Sequence, residues 1–159
     1  MEWLPIRYET MVIPYPASEA YEKLAACVLP PEDPKLENFD STTSVQQLFN
    51  GIVKPTSFRI SKIVKQPDNF LPLIIGKIEP TSNGSILFLK YQLFFSSLFF
   101  ISFWSVITLL ITIILIFVYH SYLYALLAFG FGMVHYSVAM INFSKQVTQS
   151  KLLLDSIFG

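Results

Sequence analysis

YQLFFSSLFFISFWSVITLLITIILIFVYHSYLYALLAFGFGMVHYSVAMINFS, residues Tyr91 to Ser144, contains no Asp, Glu, Lys or Arg over 54 consecutive positions. An ordinary soluble domain carries about a quarter charged residues. An uncharged run of this length, filled with Phe, Leu, Ile, Val and Tyr, therefore excludes a water-soluble monomer. The run divides into two membrane spans. Residues 93–119 number 27 and reach about 40 Å as a helix, more than the hydrocarbon core of about 30 Å. Residues 122–143 number 22 and reach about 33 Å. Only His120 and Ser121 separate them, so an antiparallel transmembrane hairpin is expected over 93–143. The apolar run begins after residue 90, which is not where a signal peptide lies.

The charges beside the hairpin orient it. Lys90 precedes the first span, Lys145 follows the second, and the tip has no Lys or Arg. By the positive-inside rule both termini and the segment before the hairpin are expected on the cytoplasmic or equivalent side. Tyr119, Tyr122 and Tyr124 then sit at the opposite interface, as interfacial aromatics do.

Within the second span, Ala125, Ala128, Gly130 and Gly132 form a patch of small residues where another helix backbone can approach closely. Helices joined by so short a link are neighbours, so the patch is expected to pack on the first span, with an oligomer seam as its other use. The first span carries Ser96, Ser97, Ser102, Ser105, Thr108 and Thr112. Such hydroxyls can bond back to their own helix carbonyls and do not require a pore. His135 and Asn142 are the strongest polar groups of the second span. An intramembrane ionisable residue is a functional hypothesis, which makes His135 the candidate for a proton-relay member or a metal or cofactor ligand. Against that role, no Asp, Glu or second nearby His stands at helical spacing from it. Asn142 lies at the cytoplasmic border.

Residues 1–92 hold all ten prolines and most of the charge, and they suffice for one small domain, since domains run from roughly 50 to 250 residues. Arg7 to Ile13 is expected as a strand. Ser18 is expected to cap a helix ending near Val28, with Tyr21, Leu24, Ala25 and Val28 on one face. Residues 29–43, with Pro30, Pro31, Pro34, Glu32, Asp33, Glu37 and Asp40, read as an acidic exposed loop. Strands are then expected over Val45 to Lys54, around Phe58 to Val64, over Phe70 to Glu79 and over Ser85 to Gln92, with an Asn83-Gly84 turn before the last. Four strands with short turns make an antiparallel meander. Its apolar face needs a cover, and the helix from Ser18 is the expected one. The fold class is thus α+β: a small antiparallel sheet with one covering helix, then the hairpin. Residues 144–159 repeat Val147, Lys151, Leu154 and Phe158 at helical spacing, an amphipathic C-terminal helix expected to pack on the soluble domain.

Phe49-Asn50-Gly51, Phe58-Arg59-Ile60 and Asn69-Phe70-Leu71-Pro72-Leu73-Ile74-Ile75-Gly76-Lys77-Ile78 resemble the matching segments of a widespread family of small, uncharacterised bacterial membrane proteins. The likeness runs from about Val45 to Phe158. It implies a last strand, a two-span hairpin, a short C-terminal helix and a bacterial inner membrane or related internal membrane, and attaches no reaction. Asp68 departs from the arginine that such sequences often carry before the asparagine. The residue types have fold reasons of their own. Gly51 and Gly76 suit close backbone approach, and Asn69, three residues before Pro72, suits a side-chain turn cap.

The eleven Lys and Arg balance the eleven Asp and Glu, which argues against a nucleic-acid partner of the usual basic kind. A single Cys27 forms no intramolecular disulfide and reads as a small apolar residue. No catalytic glycine, serine or histidine pattern is present. The expectation is a non-catalytic integral membrane protein, without cofactor or metal. It would bind lipids and other membrane-protein subunits as an accessory or assembly factor. A lipid or small-ligand module at the membrane surface is the alternative, and a homo-oligomeric pore a third.

Overall fold

The computed structural model describes residues 4–30, 47–64, 66 and 68–159. Its strands are β1 (Ile6–Ile13), β2 (Val28–Leu29), β3 (Phe49–Lys54), β4 (Ser57–Lys62), β5 (Pro72–Thr81) and β6 (Gly84–Leu93). Its helices are α1 (Ala17–Ala26), α2 (Phe95–Phe117) and α3 (Tyr122–Phe158). The class is α+β, as expected. β3 to β6 form the expected antiparallel meander. Two further strands enlarge it to a six-stranded sheet in the order β1-β6-β5-β4-β3-β2. β1 joins β6 antiparallel along its full length, while β2 runs parallel to β3, so the sheet is mixed and not purely antiparallel.

The end of α1 explains β2. The backbone N–H of Cys27 turns back to the Leu24 carbonyl at 3.1 Å, and the Cys27 carbonyl accepts from both Leu48 and Phe49 at 3.0 and 3.2 Å. These bonds stop the helix at Ala26 and hand Val28 to the sheet, two residues before the expected end. At the other terminus the cap is Pro16, whose carbonyl accepts from Ala20 N–H at 3.0 Å. Ser18 lies inside the first turn and does not cap. Of the acidic loop, Leu29 belongs to β2 and the part from 31 to 43 lies outside the described residues.

The register sorts each strand into an inner and an outer row. Leu87, Leu89 and Tyr91 of β6 lie opposite Ile78, Gly76 and Ile74 of β5, and Phe58 and Ile60 of β4 continue the same rows. All are buried. α1 covers part of this inner face with Ala20 and Leu24. It is not the only cover. α3 is a single helix of 37 residues, about 55 Å long, well beyond a hydrocarbon core of about 30 Å. Its far end lies on the sheet, burying Phe143, Val147, Ser150, Leu154 and Phe158 in the core shared with α1 and the strands. The expected stripe carried Lys151 where the buried position is Ser150. Lys151, one residue on, reaches out to an ion pair with Glu9.

β6 runs through Leu93 before α2 begins, so the first apolar helix starts two residues later than the expected span and ends at Phe117. The link is Val118 to Ser121, with His120 in the left-handed region at φ 49°. α2 and α3 then lie side by side. Both are long and apolar enough to cross a membrane, with mean hydropathy of 2.6 and 1.5, and only 11% of the most apolar window of each is buried. The hydroxyls of Ser105, Thr108 and Thr112 each donate to the carbonyl four residues back at 2.8 Å, which satisfies them within their own helix.

Gly76 tests the sheet's packing. A Cβ built there would fall on the ring of Phe58, its cross-strand partner. Gly76→Ala is expected to cost about 1–3 kcal/mol through overpacking, and Phe58→Leu in the same chain to recover part of it. Thermal unfolding of the two single variants and the double variant measures the coupling, and strictly additive losses would contradict the contact.

Candidate functional site

The motif residues serve the fold. Gly51 has φ 142°, and a Cβ there would run into the Arg59 carbonyl of β4, so both its conformation and its surroundings select glycine. Pro72 is buried at the start of β5, where its carbonyl accepts the Ser61 hydroxyl at 3.2 Å. Asn69 is exposed. The turn is capped instead by Asp68, whose Oδ1 accepts the Phe70 N–H at 2.8 Å, an Asx turn. The same carboxylate accepts from the Gln146 amide of α3. Asp68 therefore closes the turn and ties it to the helix.

The structure brings part of the small-residue patch together. Ala125 is buried and Ala128 half-buried. A Cβ at Gly132 would lie 2.8 Å from the Thr108 methyl of α2, whereas one at Gly130 would meet nothing within 4 Å. Gly130 thus sits off the seam. His135 and Asn142 are each half-buried. Among the described residues no group of three or more His, Cys, Asp or Glu gathers as a metal site. Burial pushes the Cys27 thiol up, away from the reactive thiolate.

Polar contacts fasten α3 to the inner face of the sheet. Lys62 donates to Gln146 and Gln149 at 2.9 and 2.7 Å. Lys151 pairs with Glu9 of β1. Beneath the helix the Tyr91 hydroxyl and Ser150 Oγ are buried without a hydrogen-bond partner. Burial, then the negative charges of Glu9 and Asp155, hold the Tyr91 phenol well above its ordinary range against the opposing pull of Arg7. It remains a neutral, protonated group and offers no base.

Among the described residues no helix covers the outer face of the sheet. One row across five strands reads Tyr8, Lys90, Ile75, Arg59, Ile52, and the next reads Thr10, Phe88, Lys77, Ser57, Lys54. Tyr8 is 71% exposed, Ile52 52% and Phe88 42%. Only the corner at Leu73 and Ser61 is buried. Lys90 stands 5.8 Å from the centre of the Tyr8 ring, a cation–π arrangement. Against the cations of Lys54, Arg59, Lys77 and Lys90, the outer positions of these strands offer one carboxylate, Glu79, paired with Lys77 at 2.6 Å. The face is chemically a carrier of positive charge interleaved with aromatic and aliphatic side chains, and it can bind an acidic surface that has its own apolar patches.

Sequence reading does not find this face. Its four cations are scattered over 37 positions, and only the register collects them. Strict alternation in β5 and β6, extended through the Asn83-Gly84 turn, was the available signal. No protein-family model, curated protein or solved structure matches the chain.

The Glu9 contact raises the Lys151 pKa, first by hydrogen bonding and then by charge, with desolvation opposing. The contribution of the pair is therefore complete below the ordinary lysine value and is lost as pH rises through the raised one. Being partly exposed, the pair is expected to contribute at most about 1 kcal/mol. Unfolding midpoints of the native chain should fall on alkalinisation beyond about pH 10.4, and Glu9→Gln should lower the neutral midpoint and flatten that fall. An unchanged alkaline slope in Glu9→Gln would remove the pair from the account.

Proposed function

We propose that this chain is a non-catalytic membrane protein whose hairpin anchors a docking sheet, and that it acts as an accessory or assembly subunit of a membrane protein complex. The observation that carries the reading is the outer sheet face, where cations alternate with exposed aromatic and aliphatic side chains while both helices that touch the sheet occupy the other side. An isolated soluble domain gains nothing by leaving Tyr8, Phe88 and Ile52 in water, and patches of this composition mark interaction sites. Aromatic residues and Arg are the side chains that dominate binding energy at such surfaces. The partner is read from the charge: an acidic protein surface with apolar patches, reached faster and selected more sharply because of electrostatic complementarity.

The hairpin supports the other half of the reading. α2 and α3 turn large apolar side chains outward along their length, a surface that hydrocarbon accepts and water does not. Lys90 and Lys145 at its base favour a cytoplasmic or equivalent side for the sheet, in a bacterial inner membrane or a related internal membrane.

A photo-crosslinking residue at Phe88 in the full chain, activated in native membranes, is the test. It should yield an adduct with a subunit of a membrane complex through an acidic segment. The same residue at Glu22, exposed on α1, should yield none. Arg59→Glu with Lys90→Glu should cut the Phe88 adduct by about tenfold or more, in keeping with loss of two interfacial charges. No adduct from Phe88, an adduct indifferent to charge reversal, or capture of nucleic acid in place of protein would each overturn the proposal.

A further inference from the structure

Where β1 enters the sheet, Leu4 and Arg7 lie against α3 and leave a groove of about 770 Å³. A second cavity of about 300 Å³ shares Leu4, Tyr136 and Met140 with it and continues between α2 and α3 past Leu98, Ile101 and Val106. Each falls in the range of ligand sites, roughly 300–1,000 Å³. Their chemistry is graded along the hairpin. Among the described residues, Arg7 and Lys145 are the charged ones that line the larger groove, and no carboxylate of the described residues lines either cavity. Lys145 is the first charge after the uncharged run that ends at Ser144. From that level the walls pass to Met140, Ile141 and Tyr136, and then to Leu98, Ile101 and Val106 of α2 with Ser102 and Ser105 beside them, all within the uncharged run.

A site that is cationic at one end and apolar toward the membrane fits one class of ligand. We infer that the groove holds an anionic phospholipid, its phosphate between Arg7 and Lys145 and an acyl chain in the extension between the helices. Arg offers a planar fork of donors suited to phosphate, and Lys a point charge. Basic pockets between membrane helices on the cytoplasmic side recognise anionic headgroups on the same physical basis. A free phosphate shares the headgroup chemistry but leaves the apolar extension unfilled. A zwitterionic lipid fills the extension but brings a cation to Arg7 and Lys145. The inference rests on α2 and α3 crossing the membrane and is independent of any partner on the outer sheet face.

Membranes carrying the full chain are first extracted with alkaline carbonate, so that release of the protein, which would sink the membrane reading, is recorded separately. The chain purified in mild detergent is then heated with dioctanoyl phosphatidylglycerol, dioctanoyl phosphatidylcholine or glycerol phosphate, and the lipids retained after purification are identified by native mass spectrometry. Phosphatidylglycerol should raise the unfolding temperature and remain bound, and the other two should do neither at the same concentration. Lys145→Gln should weaken the response about tenfold, as expected for one charge-assisted contact, and Arg7→Gln at least as much. Ser137→Trp, at an exposed lining position, should abolish it by filling the groove, and with Lys145→Gln it decides the outcome if Arg7→Gln does not fold. Equal responses to the two lipids, or an undiminished response in Lys145→Gln and Ser137→Trp, would overturn the inference. Stabilisation by glycerol phosphate alone would overturn the amphiphile in favour of a simple anion site.

Discussion

One face of α3 is in contact along nearly its whole length, sparsely against α2 and then deeply against the sheet, and the rest of the architecture is arranged around that seam. Ala125, Gly132 and Ala139 carry it alongside α2, and Phe143, Val147, Ser150, Leu154 and Phe158 carry it over the strands. The positions recur at spacings of three, four and seven, as a single helical stripe requires. What changes is residue size. Between helices in hydrocarbon no hydrophobic force draws side chains inward, and association relies on close backbone approach over small residues. Over the sheet, water supplies that force, and large apolar side chains fill the core. The switch falls between Ala139 and Phe143, close to where the uncharged run ends.

The seam makes sheet and hairpin a single mechanical object. α3 does not pause at the level of Lys145, and the polar contacts of Lys62, Asp68 and Glu9 with Gln146, Gln149 and Lys151 hold its far end from three different parts of the sheet. Individually such contacts contribute little. Their value is geometric, since they fix the rotation of the helix over the strands. With the inner face occupied in this way, the outer face is left to present its rows of cations and aromatics, and the start of β1 is held against α3 to form the graded groove.

The pair of long apolar helices was legible because a charge-free run of 54 residues broken only at His120 and Ser121 favours two helices joined by a short link. The meander was legible because its turns are short and its strands alternate. The extra strands were less so. β2 has two residues, too few for any periodicity, and its place depends on Cys27 carbonyl contacts from a segment twenty residues away in sequence. Ser18 is a favoured cap type, yet the chain geometry imposed by Pro14 and Pro16 starts the helix before it. The tail was rightly expected to be helical and to pack on the soluble part. Its true phase was displaced by Lys151, because a buried Ser150 carries no apolar signal while the lysine stem imitates one. Gly51 and Gly76 were read as points of close approach and are that. The cap assigned to Asn69 belongs to Asp68, since either side chain can close such a turn and only the fold decides between them. The outer cationic face is a property of register, not of any segment.

The covering role of α3 also orders the birth of the molecule. In sequence the sheet-packing end of α3 comes last, after the uncharged run, so the strands, once synthesised, have an inner face that lacks part of its cover until that end has folded back onto them. A chain whose α3 has not come back over the sheet leaves Leu89, Tyr91 and Ile74 without that part of their roof. Completion of the sheet's core thereby reports on the placement of the last helix, because apolar strand surface stays open until that helix has closed over it.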